Sequence, residues 1–268
     1  MRNVRVQLAS ATAFGLSAAL LQLPAAALEG GTPARAADPL ARAVVSIQSI
    51  GPARNGRVRV RECTGVLIAR DLVLTAGHCL EEVTGPERIG VFFFKGSSPI
   101  PTVVTVRALT RHPAYRRGWE NQPGEAETRQ REIAADLALL RLSKPAPADR
   151  IPVGLSLNPA TAEGAPSKFA AAGLSGAGPK ARSGTLKVAS LDTVRFTAGT
   201  PKIAFGSASR ARACVGDSGG PVASADGRIW GVVSAVLRPS GGCGGRIVVA
   251  PVHPEAMATM IARVGSSK

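Results

Sequence analysis

Residues 216–221 read GDSGGP, so that one serine hydroxyl lies among three glycines and a proline. Glycine lets backbone amides turn toward one point and lets another molecule approach closely. A nucleophilic serine needs such a turn, because N–H donors must already point at the oxyanion of a tetrahedral intermediate. The hexapeptide therefore predicts Ser218 as a nucleophile and the amides of Gly216 and Ser218 as oxyanion donors. The alternative is an ordinary glycine-rich turn.

A histidine stands at the end of an apolar run upstream of this turn. Residues 72–79 read LVLTAGHC, and His78 follows the apolar run directly. Histidine suits a general base near pH 7, provided that a carboxylate fixes its tautomer. The other two histidines, His112 and His253, have no acid or nucleophile in their sequence neighbourhood. We therefore expect His78 to be the base.

The carboxylate best placed to orient this base is Asp136, which begins the alternating run DLALLRL at 136–142. An acid at the mouth of a half-buried strand can lose its water and still reach a cleft. Other aspartates lie in turn-like contexts, where we expect them to be solvated: Asp71, Asp149, Asp192 and Asp226.

The order His78, Asp136, Ser218 separates this chain from two other hydrolase classes. Esterases of the α/β-hydrolase type run Ser, acid, His, and subtilisins run Asp, His, Ser. In order and in motif, the chain resembles the trypsin/chymotrypsin family of serine peptidases. The similarity covers nearly all of the chain after residue 27, and it includes CTGVLI at 63–68 and HPAY at 112–115.

This resemblance implies the activity and the fold. The activity is hydrolysis of peptide bonds within polypeptide substrates through an acyl-enzyme intermediate, without a cofactor or a metal. The fold is all-β, with two packed six-stranded antiparallel β-barrels and a C-terminal helix. We expect residues 28–145 to form the barrel with His78 and Asp136, and residues 146–268 the barrel with Ser218 and the helix.

The pattern of apolar residues agrees with an all-β fold. Short apolar runs separated by turn residues are typical of a barrel or sandwich. Residues 254–264 differ, because their apolar residues recur at helical spacing. Residues 116–132 are polar and contain Pro123-Gly124, which predicts a long exposed loop. The predicted strands are 43–47, 65–68, 72–75, 102–106, 137–142, 229–236 and 246–252.

The N-terminal residues predict export. Arg2 and Arg5 precede an uncharged run over 6–23, which ends in small residues at 25–27. This arrangement is typical of a secretory signal peptide. The alternative is a membrane-spanning helix, but the run contains several polar residues and no positively charged stop-transfer flank follows. We expect residues 1–27 to be removed and the protein to be secreted or periplasmic.

The four cysteines of an exported chain predict two disulfides, for which three pairings are open. A zinc site is the weaker alternative, because no two cysteines lie two to four residues apart. The family resemblance implies one pairing: Cys63 with Cys79, next to His78, and Cys214 with Cys243, beside the specificity pocket.

The resemblance also implies a role for the residue that follows the expected signal. In this family a new N-terminus folds inward, and its ammonium pairs with the aspartate before the nucleophile. LEGG at 28–31 resembles that terminus, so that Leu28 would pair with Asp217 after signal cleavage alone. The alternative is that Leu28 is merely tolerated after the cleavage site.

Departures from the family pattern concern the choice of substrate. The pocket-floor position, six residues before the nucleophile, holds Arg212 where trypsin-like members carry Asp. The strand that pairs with substrate runs Ser234-Ala235-Val236, and Arg246 could face the same pocket. We therefore expect no preference for Lys or Arg before the cut. An inward Arg212 would favour Glu or Asp, and an outward one would leave Val236 to favour small residues.

The net charge of +15 is the remaining global feature. Such a charge favours anionic surfaces or polymers as partners. The aromatic content of 4% is too low for a base-stacking platform, so we expect no specific nucleic acid. We expect a monomer. A second hypothesis is a secreted cationic binding protein, catalytically weak or inactive, on a peptidase scaffold.

Overall fold

The computed structural model describes residues 28–52, 58–118, 125–175, 182–237 and 243–266. The expected signal segment, residues 1–27, lies outside the described residues. The strands are β1 (Thr32–Pro33), β2 (Val44–Ile50), β3 (Val60–Ala69), β4 (Leu72–Thr75), β5 (Ile89–Lys95), β6 (Ser98–Arg111), β7 (Ala138–Leu142), β8 (Ser167–Ala171), β9 (Leu174–Ser175), β10 (Arg182–Ser183), β11 (Lys187–Leu191), β12 (Thr193–Phe196), β13 (Ala204–Ser207), β14 (Pro221–Ser224), β15 (Ile229–Leu237) and β16 (Arg246–Pro251). The helices are α1 (Pro39–Ala43), α2 (Ala126–Ala134) and α3 (Pro254–Ser266), and short 3-10 turns lie at Gly77–Leu80, Pro86–Arg88 and Pro159–Ala162.

The first half of the chain forms a closed six-stranded barrel in the order β2-β3-β4-β7-β6-β5. Neighbouring strands are antiparallel throughout. Its interior is filled by fully buried apolar side chains, among them Phe93, Leu67, Leu74 and Leu139. Burial of each such side chain contributes about 1.5–3 kcal/mol. The barrel therefore gives a rigid support to the loops at its rim.

The second half forms an antiparallel sheet in the order β1-β11-β8-β14-β15-β16-β13-β12, together with the β9–β10 hairpin. β11 and β12 are separated only by Asp192, so that one bent segment supplies strands near both ends of the sheet and curls it into a half-barrel. The all-β prediction with a terminal helix is confirmed. The predicted second six-stranded barrel is an eight-stranded sheet instead, because this bend divides one strand and the N-terminal segment adds β1.

Each end of the chain packs on the opposite unit. The N-terminal β1 pairs with β11 of the second sheet. The C-terminal α3 packs on β6 and β7 of the first barrel and buries Met257, Met260 and Val264. The helix predicted over 254–264 is therefore confirmed. The two crossings hold the units together at the back of the cleft that they form.

The prediction of a continuous loop over 116–132 is wrong, because α2 begins at Ala126. The helix consists mainly of good helix formers, and an Arg129–Glu132 ion pair of 3.3 Å spans one turn of it. Its Ile133 and Ala134 are buried against Val248 of β16. The turn signals at Pro123-Gly124 precede the helix, and their residues lie outside the described part of the chain.

In the described ranges, the helices are all too short or too polar to cross a lipid bilayer.

Candidate active site

His78 lies in the 3-10 turn that follows β4, and it is almost fully buried, with 4% of its surface exposed. A Cys63–Cys79 disulfide joins this turn to β3. The second disulfide joins Cys214 and Cys243. Both pairings are those that the family resemblance implied. The first one holds the backbone of His78 against the barrel, so that the direction of the imidazole is set by the covalent structure.

Asp136 orients this imidazole. The aspartate precedes β7 and is fully buried. Its Oδ1 accepts a hydrogen bond from the backbone N–H of His78 at 2.8 Å, and its Oδ2 lies 2.8 Å from Nδ1 of the same residue. Because the carboxylate accepts from Nδ1–H, the neutral imidazole carries its proton there and Nε2 is the basic nitrogen. This is the arrangement expected of a general base.

Ser234 is part of this network, although the sequence placed it in the specificity pocket. Its hydroxyl donates to Asp136 Oδ2 at 2.6 Å, and the residue is buried in β15. The carboxylate thus accepts three hydrogen bonds, two from His78 and one from Ser234. The sequence held a signal for this role, since a lone serine inside the apolar run IWGVVSAVL must find a partner when it is buried.

The turn that carries Ser218 docks on the barrel that carries His78. Thr64 of β3 donates from its backbone N–H to the carbonyl of Ser218 at 2.8 Å, and from its hydroxyl to the carbonyl of Gly216 at 2.9 Å. Gly219 has a φ of +80°, and a Cβ at this position would lie 2.2 Å from the Thr64 carbonyl oxygen. Only glycine permits this approach. Sequence reasoning missed Thr64, whose position on a buried strand was its only signal.

The amides proposed as oxyanion donors have no acceptor in the described protein. Gly216 has a φ of +91°, which turns the peptide so that its carbonyl faces Thr64. Within the described part of the chain, no hydrogen bond takes up the amide hydrogen of Gly216 or of Ser218. Because buried N–H groups are nearly always paired, two neighbouring unpaired ones indicate a place where a ligand oxygen is received.

These groups line one cleft between the two β units, with a volume of about 290 Å³. His78, Gly216 and Ser218 lie at its centre. Two larger cavities, of about 730 and 780 Å³, are lined by other residues and lie away from Ser218. A narrow groove rather than a deep cavity is suited to an extended peptide.

Arg212 and Arg246 lie at the outer surface. The guanidinium of Arg212 donates to the carbonyl of Cys243 at 2.6 Å, and the residue is exposed. Arg246 is also exposed, with its guanidinium 6.0 Å from the centre of the Phe205 ring. Of the two orientations that the sequence left open for Arg212, the structure has the outward one. Val236 does line the cleft.

Leu28 and Asp217 are in contact. The backbone N–H of Leu28 donates to Asp217 Oδ2 at 3.0 Å, and both residues are fully buried. The amide of Cys214 donates to the same oxygen at 2.7 Å. Within the described residues, Asp217 Oδ1 has no hydrogen-bond partner. Burial raises the pKa of Asp217 to about 7, although the amides of Cys214 and Leu28 lower it. This carboxyl is therefore placed to receive a positive charge on the Leu28 nitrogen.

The other two histidines face a separate cavity between β6 and α3, the one of about 780 Å³. His112 Nδ1 accepts a hydrogen bond from the amide of Ala114 at 3.1 Å. Burial lowers the pKa of His112, and the nearby His253 lowers it further. Burial also lowers the pKa of His253. Neither histidine belongs to the cleft of Ser218, which agrees with the choice of His78 as base.

These depressed pKa values predict a pH dependence of stability. Below pH 6.5, the unfolded chain protonates both histidines more readily than the folded protein does, so acid weakens their contribution. Asp217 acts in the opposite direction, because its raised pKa lets the folded protein bind a proton first. The comparison therefore needs a His112→Asn/His253→Asn variant. Denaturant unfolding between pH 7.5 and 5 should show that the wild type loses more stability than this variant. Equal losses would contradict the assignment.

The comparisons with known proteins agree with this geometry. A family model described as Trypsin matches residues 31–257. Among solved structures, HL collagenase is 20% identical, with a TM-score of 0.65 and coverage of 88% of this chain and 98% of that chain. A scabies mite inactivated protease paralogue, S-D1, is 16% identical, with a TM-score of 0.63 and coverage of 90% and 99%. At such identities the similarity shows the fold. The search of curated proteins finds no match.

Proposed function

Because the chain belongs to the trypsin family of serine peptidases, we propose that it is a serine endopeptidase with Ser218, His78 and Asp136 as its catalytic residues. One observation carries the proposal. Asp136 holds both the backbone N–H and Nδ1 of His78 at 2.8 Å, beside a turn whose two amides have no acceptor in the described protein. A peptidase scaffold without catalytic work has no need of this arrangement.

In the proposed reaction, His78 Nε2 takes the proton of the Ser218 hydroxyl as its oxygen attacks the substrate carbonyl carbon. Asp136 stabilises the imidazolium that forms, and Ser234 holds the carboxylate in place through its 2.6 Å hydrogen bond. The amides of Gly216 and Ser218 stabilise the oxyanion. His78 then gives its proton to the leaving amine, and a water molecule hydrolyses the acyl-enzyme by the same route.

The alternative is a secreted cationic binding protein that has lost catalysis. The net charge of +15 favours this hypothesis, as does the fact that an inactivated paralogue has the same fold. The contacts of His78 and Asp136 favour an enzyme. We also propose that residues 1–27 are a cleaved signal peptide and that the protein acts outside the cytoplasm. The two disulfides support this location, because such bonds persist in oxidising compartments.

A fluorophosphonate probe distinguishes the two hypotheses. The probe reacts with a serine only when a base activates the hydroxyl, so we expect one probe per protein, attached to Ser218. Mass spectrometry of a protease digest locates the label, and Ser218→Ala is the control. A folded protein beginning at Leu28 that stays unlabelled would rule out the enzyme in favour of the binding protein.

A further inference from the structure

We propose that Val236 and Ile247 close the pocket for the side chain before the cut, so that the enzyme selects small uncharged residues such as alanine or glycine there. The inference rests on the proposed function and names its substrate class. It follows from the position of β15, from the contacts of its last residues, and from the outward direction of the two arginines.

The position of β15 identifies the end of the cleft that receives this side chain. β15 lies beside the nucleophile turn, because the amide of Gly219 donates to the Val233 carbonyl at 2.7 Å and the amide of Val233 donates to the Gly220 carbonyl at 2.9 Å. Beyond this contact, Ser234 and Val236 line one end of the cleft together with Cys214. The side chain before the cut therefore enters between residues 214–216 and 234–236.

Val236 spans the gap between these two walls. Its partner across the strand pair is Ile247 of β16. Directly opposite residues of an antiparallel pair place their side chains on the same face, with Cβ atoms about 4.5–5.5 Å apart. Val236 Cγ1 also reaches so close to Gly244 that a Cβ there would lie 2.8 Å from it. One branched side chain thus covers the way in.

The space behind Val236 is filled with hydrocarbon. Ile247 is 1% exposed, and it belongs to a buried cluster with Ala211 and Ala213 against which Val236 packs. Insertion of a large side chain would force this packed cluster apart, which is unfavourable because protein interiors have few voids. A methyl group is about the largest substituent that needs no such change.

No charge compensates a charged substrate side chain here. Arg212 donates to the Cys243 carbonyl from the outer surface, and Arg246 lies exposed over Phe205. A glutamate before the cut would therefore bury its carboxylate against Val236 and Ile247 without a partner, as would the ammonium of a lysine. Burial of an unpaired charge is strongly unfavourable. Of the acidic and small preferences that the sequence left open, the geometry favours the small one.

Chromogenic peptides that differ only in the residue before the cut measure this preference. After titration of active sites with the fluorophosphonate, kcat/KM should be on the order of 100-fold higher for alanine than for phenylalanine, lysine or glutamate. Val236→Gly should raise the phenylalanine-to-alanine ratio about tenfold or more. Val103→Gly, at an exposed valine of β6, is the matched control and should leave the ratio unchanged. Arg212→Ala should leave the glutamate-to-alanine ratio within about twofold.

Labelling and selectivity separate the two possible failures. A labelled enzyme that prefers phenylalanine, lysine or glutamate would overturn the closed pocket and keep the proposed function. An unlabelled protein would end the proposed function. Binding of constrained cyclic peptides to Ser218→Ala then still tests the pocket, since binding needs no catalysis. Tighter binding of the alanine peptide supports the inference, and equal or tighter binding of the phenylalanine or charged peptides overturns it.

Discussion

Replacement of Ser218 by alanine should lower kcat by about six orders of magnitude, and His78→Ala should have nearly the same effect. The serine hydroxyl attacks only when His78 removes its proton, so the two side chains act as one unit. The double variant should therefore be little worse than either single variant. Activity is measured with the alanine peptide, and the thermal unfolding of each variant shows whether the fold is kept.

Matched controls separate catalysis from folding. Ser190→Ala changes an exposed serine of β11, and His112→Ala changes a histidine that lies in another cavity. Both should keep kcat within a few-fold of the wild type. Peptidase activity retained by Ser218→Ala, after contaminating enzymes have been excluded by inhibitor titration, would contradict the mechanism.

A single residue added before Leu28 should lower kcat/KM by two to three orders of magnitude. The Leu28 nitrogen lies 3.0 Å from a carboxylate oxygen of Asp217, which is buried in the turn of Ser218. Cleavage after Ala27 would convert this peptide N–H into an ammonium, and the ion pair would then order the oxyanion amides. An added residue moves the positive charge away and leaves Asp217 without it, at a cost of about 3–5 kcal/mol.

Two further variants complete this test. Asp217→Asn removes the charge from the other side and should cause a loss of similar size, whereas Asp226→Asn, at an exposed turn, should have little effect. Mass spectrometry of the exported protein should find Leu28 as the first residue. Full activity in the extended protein would show that the terminus is not inserted.

The sequence was most informative where chemistry requires special residues within a short segment. The turn at 216–221 needs glycines because Gly216 and Gly219 both have positive φ. His78 and its disulfide partner Cys79 are adjacent in the chain. Such local requirements leave a motif, and the family resemblance added the pairing of the four cysteines. The terminal helix was also predictable, because the spacing of Met257, Met260 and Val264 is set by helix geometry.

Other features depend on contacts between distant segments, for which a single sequence carries little signal. Ser234 and Thr64 looked like ordinary strand residues, and only the packing of the two β units brings their hydroxyls to Asp136 and Gly216. Helix α2 was missed because its charged composition resembles that of a loop, while its stability comes from burial of Ile133. The bend at Asp192 likewise emerges only when the sheet forms.

The choice of substrate shows the division most clearly. The sequence by itself determined the catalytic residue types and excluded a carboxylate at position 212. It left open where the Arg212 guanidinium points, because side-chain torsions are selected by the surrounding packing and not by neighbours in the chain. The tertiary structure decided this, through the Cys243 carbonyl that receives the guanidinium at the surface and through the register that sets Val236 opposite Ile247.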